Sequence, residues 1–237
     1  MFFLYFLAIF TFSSSESGSG SQIADTITMS DSHMIKVYSY LALGDSYTIG
    51  ESVAESERWC VQLAKLLSSK DTLVKSPDII AKTGWTTGEL TSAIKTSGNS
   101  NTYDLVSLLI GVNNQYRGQS ASTYRIEFSQ LLKTSIAYAG NDPSQVFVLS
   151  IPDWGVTPYA EGRDRDQISS KIDSFNAIAK DECLKRKVMF IDITPISRKG
   201  LQTPNYIAED KLHFSGAMYR LWAEEAIPQV KKLISTR

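Results

Sequence analysis

The stretch VYSYLALGDSYT, residues 37–48, decides the fold, because an apolar, β-rich run within it ends at a glycine and a polar turn. Val37–Leu43 has the composition of a strand, and Gly44 permits a tight turn at its carboxyl end. Further along, Leu105–Ile110 and Val146–Ile151 are apolar almost throughout, as expected of strands buried on both faces. Segments with helical spacing of apolar residues lie between these runs. The alternation predicts an α/β domain with a mainly parallel sheet covered on both faces.

The other elements follow from the same two patterns, short apolar runs for strands and helical spacing of apolar residues for helices. Short strands are predicted at residues 79–81 and 188–193. Pro228 lies inside the last predicted helix, where a kink or a break is expected. No internal repeat and no second core is found, so the pattern indicates one domain. Helices are predicted at residues 57–69, 87–96, 124–138, 168–186 and 215–233.

The first 34 residues differ in composition from the rest of the chain. Phe2–Phe10 is nearly all apolar, and Ser13–Ser21 is rich in serine and glycine. The apolar run is shorter than the ~20 residues that a membrane-spanning helix needs. It resembles the apolar core of a secretory signal, although Lys and Arg are absent before it. We therefore expect residues 1–34 to be an export signal and linker, and residues 35–237 to be the folded domain. A cytoplasmic protein with a disordered start is the alternative.

Composition excludes several classes of protein. The formal net charge is −1 and no basic run occurs, so a nucleic-acid partner is not expected. Two cysteines are too few for a disulfide framework, and no Cys/His cluster has the spacing of a zinc site. Cys60 and Cys183 lie in helical patterns and are expected to be packed thiols. No metal and no cofactor is predicted.

Ser46 and His213 are the candidate nucleophile and base. Of the two histidines, His33 lies in the polar N-terminal stretch, so His213 is the one within the predicted domain. A serine hydroxyl needs a base to take its proton, and that base needs an acceptor that orients it. Asp210 precedes His213 by three residues, in a predicted loop that enters the last helix. These residues favour a serine hydrolase.

Further motifs follow the ends of predicted strands. Gly84 follows the strand at 79–81, and the run GVNN at 111–114 follows Leu105–Ile110. Binding and catalytic sites of open α/β sheets assemble at the carboxyl ends of the strands. The positions of these motifs therefore predict one site at that edge of the sheet.

Taken together, GDSY at 44–47, Gly84 in AKTGWTT, GVNN at 111–114 and DKLH at 210–213 resemble the signature of the SGNH hydrolases, also called GDSL esterases/lipases. The four signature positions are Ser46, Gly84, Asn113 and His213, in that order. The resemblance covers about residues 35–237, and the segments LLIGVNNQYRG and SIPDWGVTPYA resemble a bacterial subgroup of GDSL-like esterases. It implies a flavodoxin-like three-layer α/β/α sandwich, with a five-stranded parallel sheet of order 2-1-3-4-5.

The resemblance also implies roles for the motif residues. Ser46 would be the nucleophile, His213 its base, and Asp210 the acceptor that orients the imidazole. The oxyanion hole would consist of the Ser46 and Gly84 backbone N–H groups and the Asn113 side-chain amide, each donor being worth about 3–4 kcal/mol. Gly84 would let the backbone approach the oxyanion without a Cβ in the way. Thr48 stands where the nucleophile elbow of α/β-hydrolases needs its second glycine, so the motif is a different one.

Structural roles remain open for several of these residues. Asp210 could instead cap the last helix, a position for which Ser215 competes. Asn113 could be a turn residue, and Asn114 could support either the loop or the site. The family often has proline directly after the catalytic histidine, where this chain has Phe214. That change could alter the rigidity of the loop or add an apolar wall beside the site.

The side chains expected to contact substrate are those that follow a motif or a strand end, with packing at the core or rim as the alternative. They are Trp85, Tyr116, Arg117 and Trp154.

The expected function is a serine esterase whose partner is a small-molecule ester, with a small or carbohydrate-linked acyl group. A lipase or thioesterase of the same family is an alternative, although no long apolar insertion provides a lid. A non-catalytic binding module on the same fold is the other alternative. Such a module would usually lack the nucleophile or the base, and both are present here. A phosphoryl-transfer enzyme would need a Gly-x-x-x-x-Gly-Lys loop, which is missing. The sequence does not give the acyl length, the alcohol or the oligomeric state.

Overall fold

Five parallel strands form the central sheet, in the spatial order β4-β2-β5-β6-β7. The computed structural model describes residues 34–235, so the predicted export signal lies, apart from Met34, outside the described residues. Counted within this sheet alone, the strands follow the order 2-1-3-4-5, which confirms the predicted fold class. The strands of the chain are β1 (Lys36–Tyr38), β2 (Tyr40–Gly44), β3 (Thr72–Val74), β4 (Asp78–Ala81), β5 (Leu105–Leu109), β6 (Val146–Leu149) and β7 (Met189–Ile191).

Helices flank the sheet in two groups. One group contains α2 and α8, which pack against each other, and the other contains α5, which packs against both α3 and α6. Every residue of β2, β5 and β6 is buried, as expected of central strands covered on both faces. Within residues 34–235 the α-helices are α1 (Ser46–Ile49), α2 (Trp59–Leu67), α3 (Thr87–Ser97), α4 (Val112–Tyr116), α5 (Ala121–Tyr138), α6 (Arg165–Lys185), α7 (Thr194–Ser197) and α8 (Gly216–Ser235).

The prediction of one strand over Val37–Leu43 is wrong. The run is divided at Ser39 into β1, which pairs in parallel with β3 as a separate two-stranded sheet, and β2, which belongs to the central sheet. The division has a local cause, because the Asp104 carboxylate accepts hydrogen bonds from the Ser39 N–H at 2.9 Å and from its hydroxyl at 2.7 Å. The chain therefore changes sheets at a side-chain cap that hydrophobic periodicity does not reveal.

The structure bears on two other local expectations. Asn113 belongs to the short helix α4 and not to a turn. The last helix continues through Pro228 to Ser235, so no break occurs there. A proline inside a helix removes one backbone hydrogen bond. Burial of one face of α8, including Trp222 and Val230, accompanies this loss.

The order of the strands places the functional motifs together. β2 comes first along the chain among the strands of the central sheet and lies between β4 and β5, so the direction of chain winding reverses there. Binding sites of open α/β sheets lie outside the carboxyl ends of the strands at such a point. α1 starts directly beyond β2, and α4 directly beyond β5. Ser46 and Asn113 are thereby brought to the same edge of the sheet.

Two smaller expectations concern the cysteines and the membrane. Cys60 and Cys183 are buried free thiols, as predicted, and burial raises the pKa of each to about 12. Among residues 34–235, no helix has the length and apolar character that crossing a membrane requires.

Candidate active site

Ser46 is the first residue of α1 and follows the carboxyl end of β2 after one residue. The intervening Asp45 caps this helix, because its Oδ1 accepts the Tyr47 N–H at 3.1 Å. The first N–H groups of a helix have no acceptor within the helix, so the Ser46 N–H can donate to a bound oxygen. Ser46 is 4% exposed and faces a cavity. Gly44 is needed beneath it, since a Cβ there would come within 2.2 Å of the Thr48 Oγ1.

Asp210 holds the imidazole of His213. The Asp210 Oδ2 lies 2.5 Å from the His213 Nδ1, and its Oδ1 accepts the backbone N–H groups of Leu212 and His213 at 2.9 Å each. The tautomer that donates from Nδ1 leaves Nε2 unprotonated, and an unprotonated Nε2 can accept a proton. Lys211, between the two residues, has a φ of 64°, an uncommon conformation for a residue other than glycine.

The environment of Asp210 keeps its carboxylate ionised. Burial raises its pKa, but hydrogen bonds from the His213 imidazole, two backbone N–H groups and the Ser52 hydroxyl together lower it to about 2. The Ser52 Oγ donates to the same Oδ2 at 2.7 Å. Asp210 does not cap the last helix. That helix, α8, starts at Gly216, and the Oγ of the preceding Ser215 accepts the Met218 N–H.

One cavity of about 100 Å³ is lined by three of the candidate residues, whereas Gly84 and Asp210 do not line it. Ser46, Asn113 and His213 all line it, although they are separated by up to 167 positions in the sequence. Most of the remaining wall is aromatic or aliphatic. The other lining residues are Tyr47, Val112, Tyr116, Trp154, Tyr159 and Leu212.

The candidate oxyanion donors are Gly84 and Asn113, in addition to the Ser46 N–H. The Asn113 Nδ2 donates to the Trp85 carbonyl at 2.9 Å, which uses one of its two protons and fixes the amide beside the loop that carries Gly84. Gly84 has a φ of 85°, which explains the glycine. A Cβ at this position would meet only the Arg117 Nη2, at an ordinary 3.6 Å. Backbone conformation, and not crowding by the protein, is thus what requires glycine at 84.

Comparison with known proteins places the chain in a family. The model of the GDSL-like lipase/acylhydrolase family matches residues 42–221, which include Ser46, Gly84, Asn113 and His213. The chain belongs to this GDSL-like family. No curated protein matches the chain significantly in sequence.

Solved structures of GDSL-like and other esterases share the fold at low sequence identity. An acetylxylan esterase from Geobacillus stearothermophilus is 17% identical and superposes with a TM-score of 0.62, covering 84% of this chain and 96% of its own. A psychrotrophic esterase from Pseudoalteromonas sp. is 16% identical, with a TM-score of 0.61 and coverage of 83% and 98%. A member of the lipolytic G-D-S-L family from Veillonella parvula is 16% identical, with a TM-score of 0.60 and coverage of 80% and 96%. At these identities the likeness shows the fold alone.

The four predicted substrate contacts of this GDSL-like chain divide into two pairs. Tyr116 and Trp154 line the cavity, and Trp154 is fixed by its Nε1 donating to the Gln115 Oε1 at 2.8 Å. Trp85 and Arg117 do not line it. The Trp85 side chain packs on the core, and Arg117 braces the Gly84 loop by donating to the Gly84 carbonyl at 2.7 Å.

Asn114 and Phe214 both have structural positions. The buried Asn114 accepts the Thr87 N–H at 3.1 Å and donates to the Thr87 hydroxyl, so it ties the start of α3 to α4. Phe214 is fully buried and packs against Tyr47 and Trp222, so it does not form a cavity wall. Phe214 also forms an antiparallel bridge with Ile207, in which the Ala208 N–H donates to the His213 carbonyl at 2.8 Å. This bridge holds the loop directly after His213.

Sequence reasoning missed several residues of the site. Tyr47 and Leu212 lie within the GDSY and DKLH motifs, directly beside Ser46 and His213. This adjacency was the signal that could have identified them. Tyr159 lies in the segment SIPDWGVTPYA, after a strand end, and also lines the cavity. No local signal points to Ser52, because it meets Asp210 across 158 positions.

Proposed function

We propose that the protein is a serine esterase that cleaves short-chain acyl esters. The observation that carries the proposal is that His213, whose Nδ1 lies 2.5 Å from the Asp210 Oδ2, lines the same small cavity as Ser46 at the start of α1. A nucleophile, a base oriented by an acceptor, and N–H donors for an oxyanion are the parts that acyl transfer requires.

In the acylation step, the Nε2 of His213 takes the proton of Ser46 while its Oγ attacks the ester carbonyl. The imidazolium then protonates the departing alcohol, so the ester C–O bond breaks and a serine ester forms. Asp210 stays ionised and stabilises the imidazolium through Nδ1–H. Water, activated by the same imidazole, hydrolyses the serine ester and restores Ser46.

The carbonyl oxygen gains negative charge in both steps. The Ser46 N–H, the Gly84 N–H and the remaining amide proton of Asn113 are the donors that we propose for that oxygen; Ser46 and Asn113 line the cavity, and Gly84 lies in the loop that Asn113 contacts. Donors fixed by the fold stabilise such a charge without reorganising during the reaction. The contact of Asn113 with the Trp85 carbonyl provides this fixation.

The size of the cavity supports a small acyl group. Its volume of about 100 Å³ is well below the 300–1,000 Å³ of sites for drug-sized ligands. Carbohydrate-linked acetyl esters remain in the proposal, because the rings of Tyr116 and Tyr159 are 44% and 41% exposed at the edge of the cavity. Long-chain lipid esters and acyl thioesters are the competing substrates within the same family.

The experiment is an ester panel assayed with wild type and Ser46→Ala. The panel holds aryl esters from acetate to octanoate, an acetylated oligosaccharide, a triglyceride and an acyl thioester. We expect turnover of the shortest acyl esters, a loss of roughly 10⁴-fold or more in Ser46→Ala, and a steep fall in kcat/KM beyond butyrate. A preference for octanoate would refute the short-chain proposal. Equal turnover by wild type and Ser46→Ala would refute Ser46 as the nucleophile, and the absence of turnover by wild type would favour a binding module.

A further inference from the structure

Three aromatic rings form a platform at one side of the cavity. The Tyr116 and Trp154 centroids are 5.4 Å apart with a T-shaped geometry, and the Tyr159 centroid lies 6.4 Å from the first and 6.1 Å from the second. The hydroxyl oxygens of Tyr116 and Tyr159 are 2.9 Å apart, within hydrogen-bonding distance. All three side chains also line the cavity that holds Ser46. The platform is therefore next to the reacting centre.

Arg163 lies over all three rings of this platform. Its guanidinium carbon is 5.5 Å from the Tyr116 centroid, 5.3 Å from that of Trp154 and 5.0 Å from that of Tyr159. Within residues 34–235 no carboxylate forms an ion pair with Arg163. A guanidinium that lies over aromatic rings is held by cation–π attraction, and its N–H groups can still donate to a bound oxygen anion.

The loop that carries Arg163 is tied to the rest of the site. The Arg163 N–H donates to the Ala160 carbonyl at 3.1 Å, within a series of tight turns. The Tyr159 N–H donates to the carbonyl of Lys211 at 3.0 Å, and Lys211 lies between the two triad residues Asp210 and His213. The position of the guanidinium is therefore coupled to the loop that carries the base.

A second cavity, of about 250 Å³, adjoins the same aromatic rings. It shares Tyr116 and Trp154 with the cavity of Ser46, and both Arg163 and Lys171 line it. Asp164 lines it too, but its carboxylate already accepts the Gln167 N–H at 2.9 Å as the cap of α6. The cationic groups outnumber the acidic one, so an anion is the ligand that this cavity favours.

We propose that this second cavity is the subsite for the alcohol part of the ester, and that Arg163 selects alcohols that carry a carboxylate. The inference rests on the proposed esterase function, in which the acyl group occupies the smaller cavity at Ser46. In the reaction the acyl–oxygen bond of the ester breaks and the Ser46 ester forms. The alcohol, with its carboxylate unchanged, leaves with the proton from His213. An arginine suits this role because its fork of N–H groups matches the two oxygens of a carboxylate.

The test compares two acetyl esters of the same shape, para-acetoxybenzoate and the neutral para-acetoxybenzamide. The quantity measured is the ratio of their kcat/KM values. Arg163→Gln should lower this ratio about fivefold, through KM of the anion, which is the scale of an ion pair that keeps contact with water. Salt should lower the ratio of wild type because it screens the charge. Lys133→Gln removes the same charge from an exposed position on α5 outside the cavity and should leave the ratio unchanged.

Two results would overturn the subsite. One is a ratio in Arg163→Gln equal to that of wild type. The other is an equal loss for both esters together with a lower Tm, which would mean that Arg163 only supports the platform. Calorimetry distinguishes failure of the subsite from failure of the esterase proposal. Ser46→Ala and its double variant with Arg163→Gln should bind both esters without turnover, so the affinity for each ester can be measured directly. If wild type hydrolyses neither ester but Ser46→Ala prefers the anion, the esterase proposal fails and the subsite stands.

Discussion

Replacing Asp210 by asparagine separates catalysis from stability at one position. The asparagine oxygen can keep the two backbone N–H contacts of Oδ1, which places its NH₂ group at Oδ2, facing the His213 Nδ1 and the Ser52 hydroxyl. An NH₂ donor forces Nδ1 to accept, so the proton moves to Nε2 and the imidazole can no longer take the proton of Ser46. A wrong tautomer of this kind costs on the order of 10³- to 10⁴-fold in kcat.

The effect of the same change on stability is much smaller. The pKa of Asp210 falls from 3.8 to about 2 in the folded state, which corresponds to about 2 kcal/mol above pH ~4. Because the side chain is 30% exposed, solvent screening reduces this to about 1 kcal/mol. A loss of that size lowers Tm by ~2–4 °C in a domain of this length. The contribution disappears as the pH falls through the folded pKa, so the Tm difference should vanish near pH 2.

The assay is kcat on an aryl acetate together with Tm, for wild type, Asp210→Asn and a matched control. Asp142→Asn is that control, because Asp142 accepts two hydrogen bonds from Ser144 but precedes β6, at the opposite edge of the sheet. It should keep its kcat. If Asp210→Asn retained kcat within about threefold of wild type, Asp210 would not orient the base and the proposed triad would be wrong.

Substitutions at three other positions have defined outcomes. Asn113→Ala should lower kcat of an aryl acetate by about a hundredfold with little change in KM, since the oxyanion bond strengthens in the transition state; a raised KM with intact kcat would assign the amide to substrate binding. Ser52→Ala should lower kcat about three- to tenfold, because the 2.7 Å bond to Asp210 is lost at an exposed position, and Ser52→Gly, which relieves the φ of 63°, should show the same loss. Burial raises the pKa of Asp45 from 3.8 to about 7, so the folded state binds this proton more tightly and stability falls as the pH rises from about 4 to 7. Asp45→Asn should flatten that dependence in urea unfolding, and an unchanged pH profile would contradict it.

Much of the fold could be predicted because the burial of a strand is visible in its own few residues of sequence. β5 and β6 are buried at every residue, and such strands have an almost continuous apolar sequence. The errors occur where side chains override periodicity. The cap that Asp104 forms on Ser39 divides the first run between two sheets, and β3 has only three residues, of which one is buried. No period can be measured over so short a strand.

The site was predictable to the extent that its residues follow strand ends. The strand ends located the motifs that contain Ser46, Gly84 and Asn113, the family resemblance singled out Gly84 and Asn113 within them, and His213 was identified through its chemistry and its neighbour Asp210. Their roles remain predictions until the variants are measured. What the sequence could not show is the set of contacts between distant loops. Ser52 meets Asp210 across 158 positions, and such a pairing has no sequence pattern.

These distant contacts also explain how His213, the candidate base, is positioned. The loop of His213 is fixed on three sides. The Ala208 N–H binds the His213 carbonyl, the Tyr159 N–H binds the Lys211 carbonyl, and Phe214 fills the core beneath. Because Tyr159 also belongs to the aromatic platform, the wall that would contact the substrate and the loop that carries the base share one backbone hydrogen bond. A shift of that wall would therefore displace His213, so in the proposed esterase the fit of the substrate and the position of the base are linked.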